Sequence, residues 1–332
     1  MKTFNKVIAI ILLVFSLTLA LSFALGFKKE DVVEFFAEDY KYEEIGPHVF
    51  TDSVNRLDLD LETKNVTINT HEEDNIIISY YQKDKETIDV DLVEKTLKIK
   101  QKVKKIFWGI NFQFSPVKHR TIEILVPSNN ELTINISAQT ANINLDNLIL
   151  DKSMIKIETG RITFKNISGD NDLKVIAGTG SIYLKNVSFK DLMLFSETGN
   201  ISLKDFVVDD LNVKTSTGFI NLENGEAQDL EITSSTGKID LKNLNLNEAK
   251  ITSSTSNVKG EEVAASNIQI NVSTGSVSLI GDYETHTLVL KTNTGSVKIN
   301  AKKQAKDYTI IRNSNTIVIQ TTTGNISIDY SK

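Results

Sequence analysis

The sequence predicts an all-β protein, a single-domain parallel β-helix of about 19 residues per coil behind one N-terminal transmembrane helix. Three observations lead there. The first is a corner of the type Ser-Thr-Gly that recurs through the chain, as in Glu158-Thr159-Gly160, Glu197-Thr198-Gly199, Ser216-Thr217-Gly218 and Ser235-Thr236-Gly237. Its third positions fall at 141, 160, 180, 199, 218, 237, 256, 275, 295 and 324, so every step but the last is 19 or 20. The second is alternation. Positions +2 and +4 from the corner are apolar (Ile162/Phe164, Ile182/Leu184, Ile201/Leu203, Ile220/Leu222), as are −7 and −5 (Leu173/Val175, Leu192/Leu194, Leu211/Val213). Period two is the signature of a strand with one buried face. The third is phase. The apolar pairs, with a weaker pair at +7 and +9 (Val187/Phe189, Leu244/Leu246, Val263/Ala265), are separated by odd gaps. A straight strand would turn its apolar face outward at each gap, so the chain must bend there. Three bends per repeat make a three-sided coil, and stacked coils bury one column. Parallel crossovers favour the right hand, which is the hand expected. An up-and-down barrel would need hairpin turns beside every strand, and these are largely missing.

In chain order, residues 1–27 come first. Lys2 and Lys6 precede Val7–Phe27, 21 residues without a charge, long enough to span a bilayer as a helix. The positive-inside rule then exports the remainder, so a cytoplasmic-membrane, single-pass protein with an extracytoplasmic C-terminal domain is expected. Cleavage near Ala20-Leu21-Ser22 or Ala24-Leu25-Gly26, giving a secreted body, is the alternative. Residues 28–46 are charged and read as a juxtamembrane spacer.

The β-helix domain is expected over 47–332, with 47–130 as irregular first coils and cap and 131–332 as regular coils. Residues 50–130 alternate without a clean period, and a separate small β-sandwich there is the competing reading. Within this stretch Lys98, Lys100, Lys102 and Lys104 share one face of a strand whose other face carries Leu97, Ile99 and Val103, and Phe107 and Trp108 follow. A lysine row beside an aromatic loop has the chemistry to grip an anionic wall polymer or lipid headgroups. It is equally what a solvated outer strand face looks like, guarded against edge pairing. The final step of 29 places an insertion near 302–315, a longer loop or hairpin, and the chain ends one strand later. That leaves an end coil expected to be thinly capped, where a partner or another copy could dock.

The Thr and Ser before the corner glycines would stack as hydroxyl ladders, coil upon coil. Their plain role is to hydrogen-bond corner backbone, and an ordered array for ice or a crystalline polymer is the sharper alternative. The chain has no cysteine, which excludes disulfides, thiolate metal sites and a cysteine nucleophile. Net charge is −6 with both signs interspersed, which argues against nucleic-acid binding. His48, His71, His119 and His286 are scattered, so no metal site, cofactor or catalytic set is expected. Gly169-Asp170-Asn171-Asp172 reads as a turn.

The pattern x-Leu-x-Val-x-x-x-Thr-Gly-x-Ile-x-Leu, preceded by Ile122-Glu123-Ile124-Leu125-Val126-Pro127, resembles the bacterial putative-adhesin family that includes LiaG-like proteins. The resemblance covers roughly 50–330. It implies a β-helical extracytoplasmic domain tied to envelope-stress systems, with no defined catalytic residues. The expected function is therefore binding or scaffolding at the cell envelope by a non-enzyme, with a membrane protein or cell-wall polymer as partner. A carbohydrate-active β-helix enzyme and a self-assembling fibre subunit are the alternatives.

Overall fold

The computed structural model describes residues 42–83, 86–103 and 116–331. The expected N-terminal helix, Lys104, Phe107 and Trp108 lie outside the described residues. Among the described residues the only helical segment is a 3₁₀ turn at Val117–Arg120, and no helix is long and apolar enough to cross a membrane.

Residues Glu44–Lys332 form one compact unit, and it is a parallel solenoid. Ser153–Ser168 pairs in parallel with Leu173–Thr198, aligning Ile162 with Ile182 and Phe164 with Leu184. The next coils continue the ladder, Ile182 to Ile201 to Ile220. Each apolar position named from the repeat is buried, including the weaker third pair Val187/Phe189 and Leu244/Leu246. The column is thus fed from three sides, each Leu or Ile contributing on the order of 1.5–3 kcal/mol by burial.

Two corners have different chemistry. At the glycine corner, neighbouring coils approach too closely for a side chain. A Cβ at Gly237 would lie 1.8 Å from the Gly218 carbonyl oxygen, and one at Gly218 would lie 1.9 Å from that of Gly199. Gly237 also has φ +149°, whereas Gly218 lies outside the left-handed region, so close approach is the cause the two share. The threonines directly before these glycines are exposed and stack in register, Thr198 on Thr217 on Thr236. The hydroxyls that hold the corner sit two residues earlier and point inward. Ser196 Oγ donates to the Gly180 carbonyl and Thr292 Oγ1 to that of Gly324, each at 2.9 Å. At the opposite corner, six residues after the corner positions 141, 160, 180, 199, 218 and 237, Asn147, Asn166, Asn186, Asp205, Asn224 and Asn243 all adopt φ between 51° and 56°. Asparagine tolerates that region. Its amide also bonds the coil before, Asn186 Nδ2 to Asn166 Oδ1 at 2.8 Å and Asn243 Nδ2 to Asn224 Oδ1 at 3.0 Å.

The ends depart from the expectation of a thinly capped last coil. The terminal segment Thr316–Tyr330 does not stack on the outside. It runs between two earlier coils, Ile317 pairing with Ile268 on one side and Leu288 on the other. The extra ten residues retrace the coil 287–299 in reverse, Lys302–Gln304 antiparallel to Val297–Ile299 and Asp307–Ile310 antiparallel to Thr287–Thr294. The N-terminal end repeats the arrangement in opposite chain order. Arg56–Leu61 lies between Glu131–Leu150 and Thr96–Val103, and Asn65–His71 between Glu131–Leu150 and Thr121–Pro127. Ile76–Lys83 and Glu86–Val93 then form an antiparallel layer, and Tyr42–Phe50 pairs with Ile76–Lys83 beyond it. Both ends of the column are therefore closed by a reversed coil, which covers apolar surface that a bare last coil would expose to water.

Candidate functional site

The lysine row occupies the strand Thr96–Val103. Lys98, Lys100 and Lys102 are exposed while Leu97, Ile99 and Gln101 are buried, as alternation requires. Their neighbours are carboxylates. Lys98 lies opposite Asp58 on one side and Asp91 on the other, and Lys100 opposite Asp60 and Asp89. Lys100 Nζ is 3.1 Å from Asp60 and Lys102 Nζ 2.9 Å from Asp89, while Arg56 pairs with Asp58 at 2.8 Å. The row is thus a band of alternating charge rather than an unbroken cationic strip.

A shallow trough of about 510 Å³ opens from this band toward the regular coils. Its walls include Lys98, Lys100, Asp58, Asp60, Met154 and Lys156. The register leads from there to a second surface that reading 50–130 alone did not reveal. The outward positions six and four residues before the five corner positions 141, 160, 180, 199 and 218 run from Asn135/Ser137 to Met154/Lys156 and Lys174/Ile176, then to Met193/Phe195 and Asn212/Lys214. These ten positions hold three lysines, two exposed methionines and no carboxylate, and the strip ends on the next coil at Glu231, which accepts from Asn212 Nδ2 at 3.4 Å. Lys214 Nζ stands 5.9 Å from the Phe195 ring centroid, a cation–π distance. The signal was present in the repeat, but it lies in the residues between the apolar ones and only emerges when equivalent positions are stacked.

The strip has an acidic border. Asp191, Asp210 and Asp229 pair in register along the neighbouring column. Partial burial raises the Asp191 carboxyl above its usual range, helped by a hydrogen bond and charge from Asp172 and by the Asp210 charge. Asp191 Oδ1 itself is enclosed without a hydrogen-bond partner.

Beneath the lysine row lies a buried polar centre. Lys64 and Glu86 pair at 3.3 Å with side chains only 3% and 2% exposed. Lys64 Nζ also donates to the carbonyls of Tyr81 and, at 2.9 Å, His119. Gln101 Oε1 accepts from the backbone N–H groups of Glu62, Thr63 and Lys64, and its Nε2 donates to Glu86 at 2.6 Å. Burial holds the Lys64 ammonium below its ordinary pKa, opposed by the Glu86 charge. Every polar group here has a partner, and the centre ties the reversed coil to the one it covers. Among the described residues no cluster of His, Asp and Glu is arranged to hold a metal ion. The larger trough of about 700 Å³ at the asparagine corner is lined by Asn166, Asn186, Asn224 and Asn243, whose amides already bond along the ladder.

Among the described residues the solenoid has short corners, and the troughs described above are shallow and open to solvent. The chain belongs to the Toastrack DUF4097 family, whose model matches residues 54–329. It is similar to a solved structure of a "putative cell adhesion protein" from Clostridium sporogenes ATCC 15579, at 12% identity and TM-score 0.27, covering 88% of this chain and 100% of that one. It is also similar to a "putative adhesin" from Bacteroides fragilis NCTC 9343, at 15% identity and TM-score 0.36, covering 88% and 97%. A search among curated proteins gives no match. The family match bears out the resemblance to a bacterial putative-adhesin family carried by the repeat and by residues 122–127.

Proposed function

We propose that this protein is a membrane-held, extracytoplasmic β-helix that binds an anionic cell-wall polymer along the face bearing Met154, Lys156, Lys174, Met193, Phe195 and Lys214. The observation that carries the reading is the absence of any carboxylate across those outward positions, in a chain whose net charge is negative. Coils about 4.8 Å apart offer lysines and apolar side chains in rows, which suits an extended chain lying across them better than a compact ligand. Lys98, Lys100 and Lys102 continue the surface, with their aspartate neighbours setting its limit. The apolar run Val7–Phe27 supports attachment at the membrane, and the resemblance to LiaG-like proteins supports an envelope-stress setting for the binding.

The test is co-sedimentation of the full chain with isolated cell walls, before and after chemical removal of their anionic polymer. Retention is expected to fall at least about tenfold on removal, and equally in the triple variant Lys156→Glu, Lys174→Glu, Lys214→Glu; tenfold corresponds to about 1.4 kcal/mol. A control reversal at Lys259, which lies at none of the strip positions, should leave retention unchanged. Equal retention of the triple variant would refute the assignment of the face. Capture of a membrane protein by the same face, with walls ignored, would replace the polymer as partner.

A further inference from the structure

Around the glycine corner from the lysine strip lies a second patch free of carboxylates. It comprises the outward positions one and three residues after the corner positions 141, 160, 180 and 199, which carry neither an acid nor a lysine. The register stacks Asn142 on Arg161 on Ser181, and Thr163 on Tyr183 on Ser202. Arg161 is exposed and its guanidinium carbon stands 5.5 Å from the Tyr183 ring centroid. Among the described residues no carboxylate pairs with it, including Glu158 and Glu197, which precede the corner. Two asparagines with fixed amides stand on either side. Asn142 Oδ1 accepts the Arg161 backbone N–H and Asn200 Oδ1 that of Phe219, each at 3.0 Å. Each amide is thereby locked, and its Nδ2 is left as an exposed donor with no acceptor among the described residues. The two asparagines are three coils apart, about 14 Å along the column. The patch closes at Phe219, where Lys238 Nζ stands 5.5 Å from the ring centroid and is itself paired with Asp240.

We propose that this patch is a second binding face, which takes a carboxylated sugar chain of the uronic-acid type laid along the column from Asn142 to Asn200. Arg161 offers a planar fork of N–H donors, the geometry that holds a carboxylate through two parallel bonds. Tyr183, beside it, offers a π face whose negative charge attracts the weakly positive C–H groups of a sugar ring. Asn142 and Asn200 present donors only, which suits the ring, hydroxyl and glycosidic oxygens on either side of the carboxylate. The chemistry of the patch selects among occupants. A neutral glycan would leave the Arg161 charge unanswered, and a dense polyanion would find a single cation with nothing to stack on Tyr183. The face lies on the other side of the glycine corner from Lys156, Lys174 and Lys214, so it stands whatever those lysines bind. Lys238, held by Asp240, remains outside the contact.

The test is calorimetric titration of the full chain with an oligogalacturonate and with its fully methyl-esterified form, the same chain without its charges. Saturable binding of the acid is expected, with the ester at least about tenfold weaker. Arg161→Gln changes only an exposed side chain and should also weaken binding at least about tenfold. Asn200→Asp keeps the oxygen that accepts the Phe219 N–H but turns the free donor into an acceptor, so the corner is spared while affinity falls at least about fivefold. Asn257→Asp makes the same exchange beside the Ser276 N–H, three coils further on, and should bind as wild type does. The triple variant Lys156→Gln, Lys174→Gln, Lys214→Gln should stay within about threefold of wild type, because exposed charges more than a Debye length away are largely screened. An ester or an inorganic polyphosphate bound as tightly as the acid would overturn the proposal. So would wild-type affinity in Asn200→Asp, or an equal loss in Asn257→Asp. Binding lost in the lysine variant and kept in Arg161→Gln would place the sugar on the strip and overturn this face while leaving the reading of the strip intact.

Discussion

Replacing Lys64 with methionine tests how the N-terminal cap is held. The substitution keeps the length of the side chain but removes the charge that faces Glu86 at 3.3 Å in an environment almost closed to water. Glu86 would be left as a buried carboxylate bonded only to Gln101 Nε2, and the carbonyls of Tyr81 and His119 would lose their donor. Breaking a buried pair from one side costs about 3–5 kcal/mol, because the remaining charge stays desolvated and unpaired. In a solenoid that loss is expressed locally, as opening of the cap while the regular coils persist. Hydrogen exchange should therefore show faster exchange over 56–64 and 86–103, with 173–241 unchanged. Glu86→Gln keeps a partner for Gln101 and should cost less. The double variant Lys64→Met, Glu86→Leu should recover most of the loss, to within about 2 kcal/mol of wild type, since an apolar pair has no charge to desolvate. Exchange over 56–64 unaltered by Lys64→Met would show that the ion pair does not hold the cap and would refute this reasoning.

Three further outcomes follow from single positions. Gly237→Ala places a Cβ 1.8 Å from the Gly218 carbonyl at φ +149°, and should lower the denaturant stability of the central coils by about 3 kcal/mol, given ~1–3 kcal/mol for the backbone strain alone plus the clash. Asp191→Asn should stabilise by up to ~1 kcal/mol at neutral pH by removing like charge from the column. Because the folded-state pKa of Asp191 is raised, its contribution is greatest at low pH and is lost as pH rises through that value, so the advantage of the variant should vanish on acidification in a pH series of melts. Tyr283 is buried, donates to the Val263 carbonyl at 2.9 Å, and has its phenol pushed up to about 12 by burial. A raised phenol pKa is stability present below pH ~10 and lost as pH climbs toward 12, roughly 3 kcal/mol over that window. Tyr283→Phe should flatten that alkaline limb of the stability curve.

Much of the fold was legible because every coil must feed the same column. The −7/−5 and +2/+4 positions, and even the weak third pair, are buried where the repeat put them. The order of the coils was not legible, for the same reason. Ile317 and Leu288 carry equal apolar patterns, so nothing in alternation tells that 316–330 lies between 267–281 and 287–299. The insertion at 302–315 was visible as a step of 29, but its role as a reversed coil depends on pairing with residues already in place. Lys98, Lys100 and Lys102 were found as a row, yet their meaning rests on Asp58, Asp60, Asp89 and Asp91, two of them about forty residues away in sequence. Lys64, Glu86 and Gln101 gave no signal, since a buried lysine is written with the same letter as a solvated one. The hydroxyl ladder was assigned to the threonines next to glycine, whereas Ser196 and Thr292, facing inward, do the bonding.

The most direct measurement for the binding face is lysine reactivity toward an acylating reagent, read by mass spectrometry with the full chain free and bound to isolated walls. Lys156, Lys174 and Lys214 should be protected, with Lys98 and Lys100 partly so, while Lys238, Lys259 and Lys302 react as in the free protein. Protection spread evenly over all these lysines, or confined to Lys238, Lys259 and Lys302, would contradict the account.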